Sequence, residues 1–192
     1  MARPQEFETT DVLQKAMSVF WHYGYKGTPL EDLLIATGLS KSSFYNTFGS
    51  KEELFLEAFD TYRAERKQEM DQVLEHGPAR QAIETFFRKI IPNTRSPEGS
   101  LGCMITNQAV EQAPHEPKIR KCVEEDFQFI EDALTRTIER GQEDGSVASQ
   151  REAHELARLF VVALPGFHVM VRAGVGRSRL EDALRVLLAN LD

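Results

Sequence analysis

Residues 28–51 read TPLEDLLIATGLSKSSFYNTFGSK, and the fold is decided here. Two short helical patterns are joined by Gly38-Leu39. The first opens on Thr28, with Pro29 at the first helical position and Glu31 three residues after Thr28, which predicts a capping box. Leu30, Leu33, Leu34 and Ile35 form its expected buried side. Gly38 is its expected end, since glycine adopts a left-handed conformation without steric cost. Ser40 is the expected cap of the second helix. Within it Phe44 and Phe48, four residues apart, turn inward. Lys41, Ser42, Tyr45 and Asn46 turn outward, with Ser42, Tyr45 and Asn46 on one stripe. Hydroxyls, an amide, a phenol and an ammonium on an exposed helix suit DNA phosphates and base edges. The expectation is a helix-turn-helix with its recognition helix at residues 40–48. Taken alone, the pattern also suits a plain helical hairpin with a solvated outer face, so the flanking residues must decide.

A first helix is expected from Thr9 or Thr10, with Asp11 near the positive end of its dipole. Leu13, Ala16, Met17 and Phe20 repeat at helical spacing and should meet Leu30, Leu33 and Phe44. Gly24 ends it, and Trp21 and Tyr25 belong to the core or its edge. Ser50 with Glu53 predicts a second capping box. It opens a long helix through Leu54, Phe55, Ala58, Phe59 and Tyr62 to about Val73 and Leu74. Thr28 serves either as a cap alone or also as a phosphate ligand at a helix N-terminus.

The run AMSVFWHYGYKGTPLEDLLIATGLSKSSFYNTFGSKEELFLEAF carries an ordered set: Phe20, Gly24-Tyr25, Thr28, Gly38-Leu39-Ser40, Tyr45, Phe48, Lys51 and Leu54-Phe55. On these residues the segment 9–60 resembles the DNA-binding head of the TetR family of bacterial transcriptional repressors. The resemblance implies an all-α chain. It has a three-helix helix-turn-helix head and a helical body for ligand binding and dimerisation, with about nine helices in total. The expected DNA-contact set is Thr28, Ser40, Lys41, Ser42, Ser43, Tyr45, Asn46 and Lys51. Lys41, Ser42, Tyr45 and Asn46 are placed at the groove, and Thr28, Ser40 and Lys51 on phosphates.

Composition sets outer limits. The chain has 192 residues, 41% of them hydrophobic, enough for a real core. Its formal net charge of −7 argues against a nucleic-acid coat protein but not against a local DNA-reading face. Cys103 and Cys122 supply no disulfide framework. The N-terminus MARPQEFETT lacks the apolar run of a secretory signal, and no apolar run is expected to span a membrane. A cytoplasmic protein is expected.

The expected organisation is a head at residues 1–50, a connecting helix at 51–76 and a body at 77–192, with Gly77-Pro78 as the break. The connecting helix is expected to swing when the body binds a ligand and so to alter head spacing. In the body, Ile83, Phe86, Phe87, Ile90 and Ile91 make an apolar face before Pro92. SPEGS at 96–100 reads as a loop, and a helix is expected from about Cys103 to Gln112. Ile119, Val123, Phe127, Ile130, Leu134 and Ile138 mark a long amphipathic helix, with Gly141 to Ser146 closing it. Ser149-Glu152 and Ser178-Glu181 predict two further capping boxes. Pro165-Gly166 predicts a kink.

The last two helices are more apolar than one surface helix needs. A homodimer through residues 151–191 follows, as a four-helix bundle, and the resemblance implies the same. It also implies a pocket for a small-molecule inducer. Candidate linings are Phe86, Phe87, Cys103, Asn107, Phe127, Phe160, Phe167 and His168, each of which also suits plain core. The stretch GCMITNQAVE at 102–111 resembles a subgroup that includes sensors of reactive electrophiles and oxidants, some of which use a cysteine at the matching place. A thiol at a helix N-terminus is stabilised as thiolate.

Other classes have little support. The conceivable catalytic set is Cys103 with His115 or His168 and Glu111, and no phosphate loop or nucleophile elbow accompanies it. His22, His76, His115, His154 and His168 lack metal-ligand spacing, so neither metal nor cofactor is expected. The alternative is a DNA-binding dimer without effector, or a helical body that holds a protein partner. The expected partners are double-stranded DNA bearing a palindromic operator, a second copy of the chain and an inducer.

Overall fold

The computed structural model describes residues 9–91 and 101–192, so Pro92 and the expected loop at 96–100 lie outside the described residues. Among the described residues there are nine α-helices and no strand. In order they are α1 Thr9–Tyr23, α2 Leu30–Thr37, α3 Lys41–Phe48, α4 Lys51–Leu74 and α5 Ala79–Ile90. There follow α6 Met104–Glu111, α7 Pro117–Asp144, α8 Ala153–Arg172 and α9 Arg177–Leu188, with a 3-10 turn at Ala189–Leu191. By packing the chain divides into two compact units, Met1–Glu65 and Arg66–Asp192, and the division falls inside α4.

In the first unit an aromatic core holds α1 to the N-terminal part of α4. Phe20 meets Phe55 edge-on at 5.1 Å between ring centroids, Tyr25 meets Phe55 at 5.0 Å, and Phe55 stacks on Phe59 at 5.7 Å. Such pairs are worth about 0.5–1.5 kcal/mol each beyond the area they bury. Val12, Ala16, Met17 and Phe20 are the buried line of α1, whereas Leu13 is only half-buried. On α2 the inward line is Leu33 and Thr37, four residues apart. Ile35, expected in the core, is 81% exposed, because two residues along a helix turn a side chain to the opposite side.

The predicted box at Thr28 does not form. Pro29 is the N-cap, and Thr28 is fully buried, with its Oγ1 donating to the Gly24 carbonyl at 2.6 Å. The box at Ser50 does form: the Glu53 N–H donates to Ser50 Oγ, whose hydroxyl donates to Glu53 Oε2, both at 3.1 Å.

In the second unit α7 and α8 lie antiparallel, tied by Arg158 Nε to Glu131 Oε1 at 2.9 Å and by Gln142 Nε2 to the carbonyls of Ser149 and Arg151. Phe87 on α5 fills the centre, with Phe160 at 5.6 Å and Phe167 at 5.4 Å. The long helix closes within the expected stretch 141–146: it runs to Asp144 and ends at Gly145 with φ 79°. Gly141 lies buried where α5 crosses: a Cβ there would stand 2.5 Å from Val147 Cγ2 and 2.6 Å from Ala79 Cβ.

Neither of the two later capping boxes forms. Glu152 is the N-cap of α8 and Gly176 that of α9, without side-chain caps. Ser149 is drawn elsewhere, its N–H donating to the Leu191 carbonyl at 3.2 Å. Glu181 pairs with Arg177 at 2.6 Å. By length and composition α8 could cross a membrane, contrary to the sequence expectation. Leu156, Ala157, Phe160, Leu164, Phe167 and Val171 are core, which accounts for part of its apolarity, while Leu159, Val162 and Val169 stay exposed. Pro165 stands inside α8, which continues to Arg172.

Candidate nucleic-acid interface and effector site

The short α3 is fixed at both ends. Ser40 Oγ accepts from the Ser43 N–H at 3.1 Å, and the Gly49 N–H donates to the Tyr45 carbonyl at 3.1 Å. Phe44 and Phe48 anchor it to the core, being 0% and 3% exposed. With that face pinned, Lys41, Ser42, Tyr45 and Asn46 are held outward and exposed. Ser40 Oγ lies 2.9 Å from Ser43 Oγ and 3.1 Å from Ser42 Oγ, so three hydroxyls gather at the helix N-terminus. Ser43 is half-buried and serves this cluster. One ammonium, one phenol, one amide and hydroxyls on a rigid two-turn helix can donate to phosphates and read base edges.

The two expected flanking contacts are placed differently. Thr28 has both donors turned to protein, its N–H to the Tyr25 carbonyl at 3.4 Å and its hydroxyl to Gly24. Lys51 is half-buried; Nζ donates to the Tyr25 carbonyl at 2.7 Å and stands 4.4 Å from the Tyr25 ring centroid. It therefore braces the α1–α2 loop, and one of an ammonium's three protons is spent there. Lys26, the residue after Tyr25, is also exposed, in a loop that reads GYKG.

The eight effector candidates separate into groups. Phe87, Phe160 and Phe167 are the closed aromatic centre, with half-buried Phe86 against Phe87 at 5.5 Å. At the start of α6 the turn of Leu101 to Asn107 meets the backbone of His168 and the side chain of Arg172 on α8. Asn107 Nδ2 and Arg172 Nη1 both donate to the Leu101 carbonyl, at 3.2 and 2.9 Å. Gly102, at φ 69°, lies so close to α8 that a Cβ would stand 3.0 Å from the His168 carbonyl oxygen. Cys103 is the half-exposed N-cap of α6, and its carbonyl accepts from the Asn107 N–H at 2.9 Å. Burial, and next the Arg66 guanidinium, lower the His168 imidazole to about 4. It is neutral at physiological pH and offers a donor and an acceptor. Phe127 is half-buried on α7, next to the buried Asp126.

None of these residues lines the groove of about 510 Å³ between α5 and α9. Its arginines are already paired: Arg80 with Asp192 at 2.7 Å, Arg88 with Glu84 at 2.7 Å and Arg185 with Asp182 at 2.9 Å. Among the described residues no group of three or more His, Cys, Asp or Glu could hold a metal ion.

Two family models match the chain. The model for bacterial regulatory proteins of the tetR family covers residues 12–58, and the tetracyclin repressor-like C-terminal domain covers residues 77–187. The chain belongs to the TetR family. This TetR-family protein is similar along its whole length to the uncharacterized HTH-type transcriptional regulator YezE of Bacillus subtilis (strain 168), with 32% identity over 100% of both chains. It is also similar to the HTH-type transcriptional repressor ComR of Escherichia coli (strain K12), with 27% identity over 93% of this chain and 86% of ComR. Among solved structures, a cysteine mutant of the TetR family transcriptional regulator CifR, complexed with 26bp double-strand operator DNA, superposes with a TM-score of 0.87. It shares 29% identity, and the match covers 100% of both chains. The chain is thus a helix-turn-helix transcriptional regulator, and its relatives are regulators rather than enzymes.

Proposed function

We propose that this TetR-family regulator is a cytoplasmic repressor that binds a palindromic operator as a homodimer. A small-molecule inducer, or modification of Cys103, releases it. The observation that carries the reading is α3, whose apolar face is locked by Phe44 and Phe48 while Lys41, Ser42, Tyr45 and Asn46 stand exposed. In the proposed organisation residues 1–50 read DNA, 51–76 connect, and 77–192 hold the effector and the dimer contact. Lys41, Ser42, Tyr45 and Asn46 work at the groove. Ser40, Lys26 and Lys51 serve the phosphates, and Thr28 acts by holding the loop. Dimerisation through residues 151–191 is supported by apolar side chains left outside on α8 and α9, with Val162 77%, Val186 62% and Val169 51% exposed. The effector is assigned to the Cys103, Asn107 and His168 end of the body rather than to the closed Phe87 centre. The sequence Gly102-Cys103-x3-Asn107-x3-Glu111 supports a thiol-sensing subgroup, and the compared CifR structure is itself of a cysteine mutant.

The test is fluorescence anisotropy on duplex DNA from upstream of the protein's own coding sequence, titrated with salt. Lys51→Ala should weaken binding to all sequences alike and flatten the salt slope by about one. An unchanged slope would remove Lys51 from the phosphate set. N-ethylmaleimide should release DNA from wild type but not from Cys103→Ser; equal release from both would refute thiol sensing.

A further inference from the structure

The second unit buries a carboxylate that the reading above does not use. Asp126 on α7 is 1% exposed, and Lys67 on α4 places its Nζ 3.1 Å from Asp126 Oδ1. The same Nζ stands 5.0 Å from the ring centroid of Phe129, one helical turn along α7. A carboxylate beside an aromatic face is a recognition pattern for an organic cation, one group supplying charge and the other a π surface. The cation now in place belongs to a side chain that is 34% exposed.

The neighbourhood explains why this pair matters. Beyond Lys67, α4 is held to α7 at its far end. Arg140 Nη2 donates to the Leu74 carbonyl at 2.8 Å, Arg140 Nη1 to Glu75 at 3.1 Å, and Thr137 Oγ1 to Leu74 at 3.5 Å. The end of α4 is thus capped by backbone contacts that a ligand does not imitate. The Lys67 contact, two turns earlier, is one that any ammonium of the right reach can imitate.

We infer that Asp126 and Phe129 form a binding point for a primary organic ammonium ligand, with Lys67 as its built-in occupant. The inference rests on the reading of the body as a ligand-binding domain and adds a ligand point other than the Cys103 end, with its ligand's chemical class. An arriving ammonium takes the Asp126 carboxylate and the Phe129 face, and Lys67 moves out to water. Taking a cation from a buried carboxylate without replacing it is costly, so exchange of one cation for another is favoured over simple loss. α4 then loses the Lys67–Asp126 tie to α7, while the Arg140 cap keeps its end in place.

The full-length protein is titrated calorimetrically with 2-phenylethylammonium, and with 2-phenylethanol as the uncharged control. Wild type should bind the ammonium and not the alcohol. Lys67→Met, which removes the occupant, should bind it about tenfold more tightly than wild type, and Asp126→Asn should lose about tenfold or more. Should Asp126→Asn fail to fold, the Lys67→Met/Asp126→Asn double variant, with no buried charge, replaces it and is compared with Lys67→Met. Equal affinity of Lys67→Met and wild type, retained affinity without the Asp126 carboxylate, or equal binding of the alcohol would each overturn the inference. Operator anisotropy in the same samples separates the two readings. Absence of DNA binding by wild type sinks the repressor and leaves the ammonium site standing. DNA binding with ammonium affinity indifferent to Asp126 sinks the site alone.

Discussion

Lowering the pH should destabilise the second unit through His168, and the loss can be worked out beforehand. In the unfolded chain the imidazole titrates at 6.5, whereas burial and Arg66 lower it to about 4 in the folded protein. A base whose folded value is depressed binds its proton preferentially in the unfolded state. The stability linked to neutral His168 is therefore complete above 6.5 and drains away as the pH falls towards 4. Moving from about pH 7.5 to about pH 5 costs about 2 kcal/mol by this linkage, a large share of a domain's net stability. Urea unfolding of wild type and His168→Gln at both pH values is the assay. Carboxylates titrate alike in the two proteins and cancel in the difference, and the other four histidines are exposed. Wild type should lose about 2 kcal/mol more than His168→Gln on acidification. Equal losses in the two proteins would refute the buried, neutral imidazole.

Gly141→Ala should destabilise by about 1–3 kcal/mol in the same assay, since its methyl collides with Val147 and Ala79 on rigid neighbours. Ser40→Ala should cost about 1 kcal/mol by thermal melting and weaken operator binding beyond that loss, because the cap also gathers Ser42 and Ser43. Val162→Glu should leave the fold intact and convert the dimer to monomer in sedimentation. A stable dimer after this change would move the subunit contact away from α8.

The head was legible because its local signals agree with its tertiary contacts. Ser40 caps where expected, Phe44 and Phe48 turn inward, and the Ser50-Glu53 box closes on both hydrogen bonds. Where a box failed, another contact had outbid it, distant in one case and local in two. The Ser149 N–H is bound by the Leu191 carbonyl in the C-terminal turn. Glu181 pairs with Arg177 and Thr28 gives its hydroxyl to Gly24, each four residues earlier. Within the expected closing stretch Gly145 is the terminator, whereas the place of Gly141 is reserved by the approach of Ala79, more than sixty residues earlier. Of the proposed effector residues, Cys103, Asn107 and His168 were readable as residue types. The meeting of α6 and α8 at Leu101 and Gly102 was not, because it depends on contacts more than sixty residues apart.

The recognition helix presents a single cation, Lys41, among hydroxyls, an amide and a phenol. Affinity for arbitrary DNA grows with the number of phosphates neutralised, so a surface that offers Lys41 from the helix and Lys26 and Lys51 from its flanks dwells only briefly at wrong places. Fewer molecules are then tied up along the chromosome, and more of the pool stays available to the right sequence. Such a protein can govern its operator at low copy number, and its occupancy there depends on contacts to base edges rather than on bulk attraction.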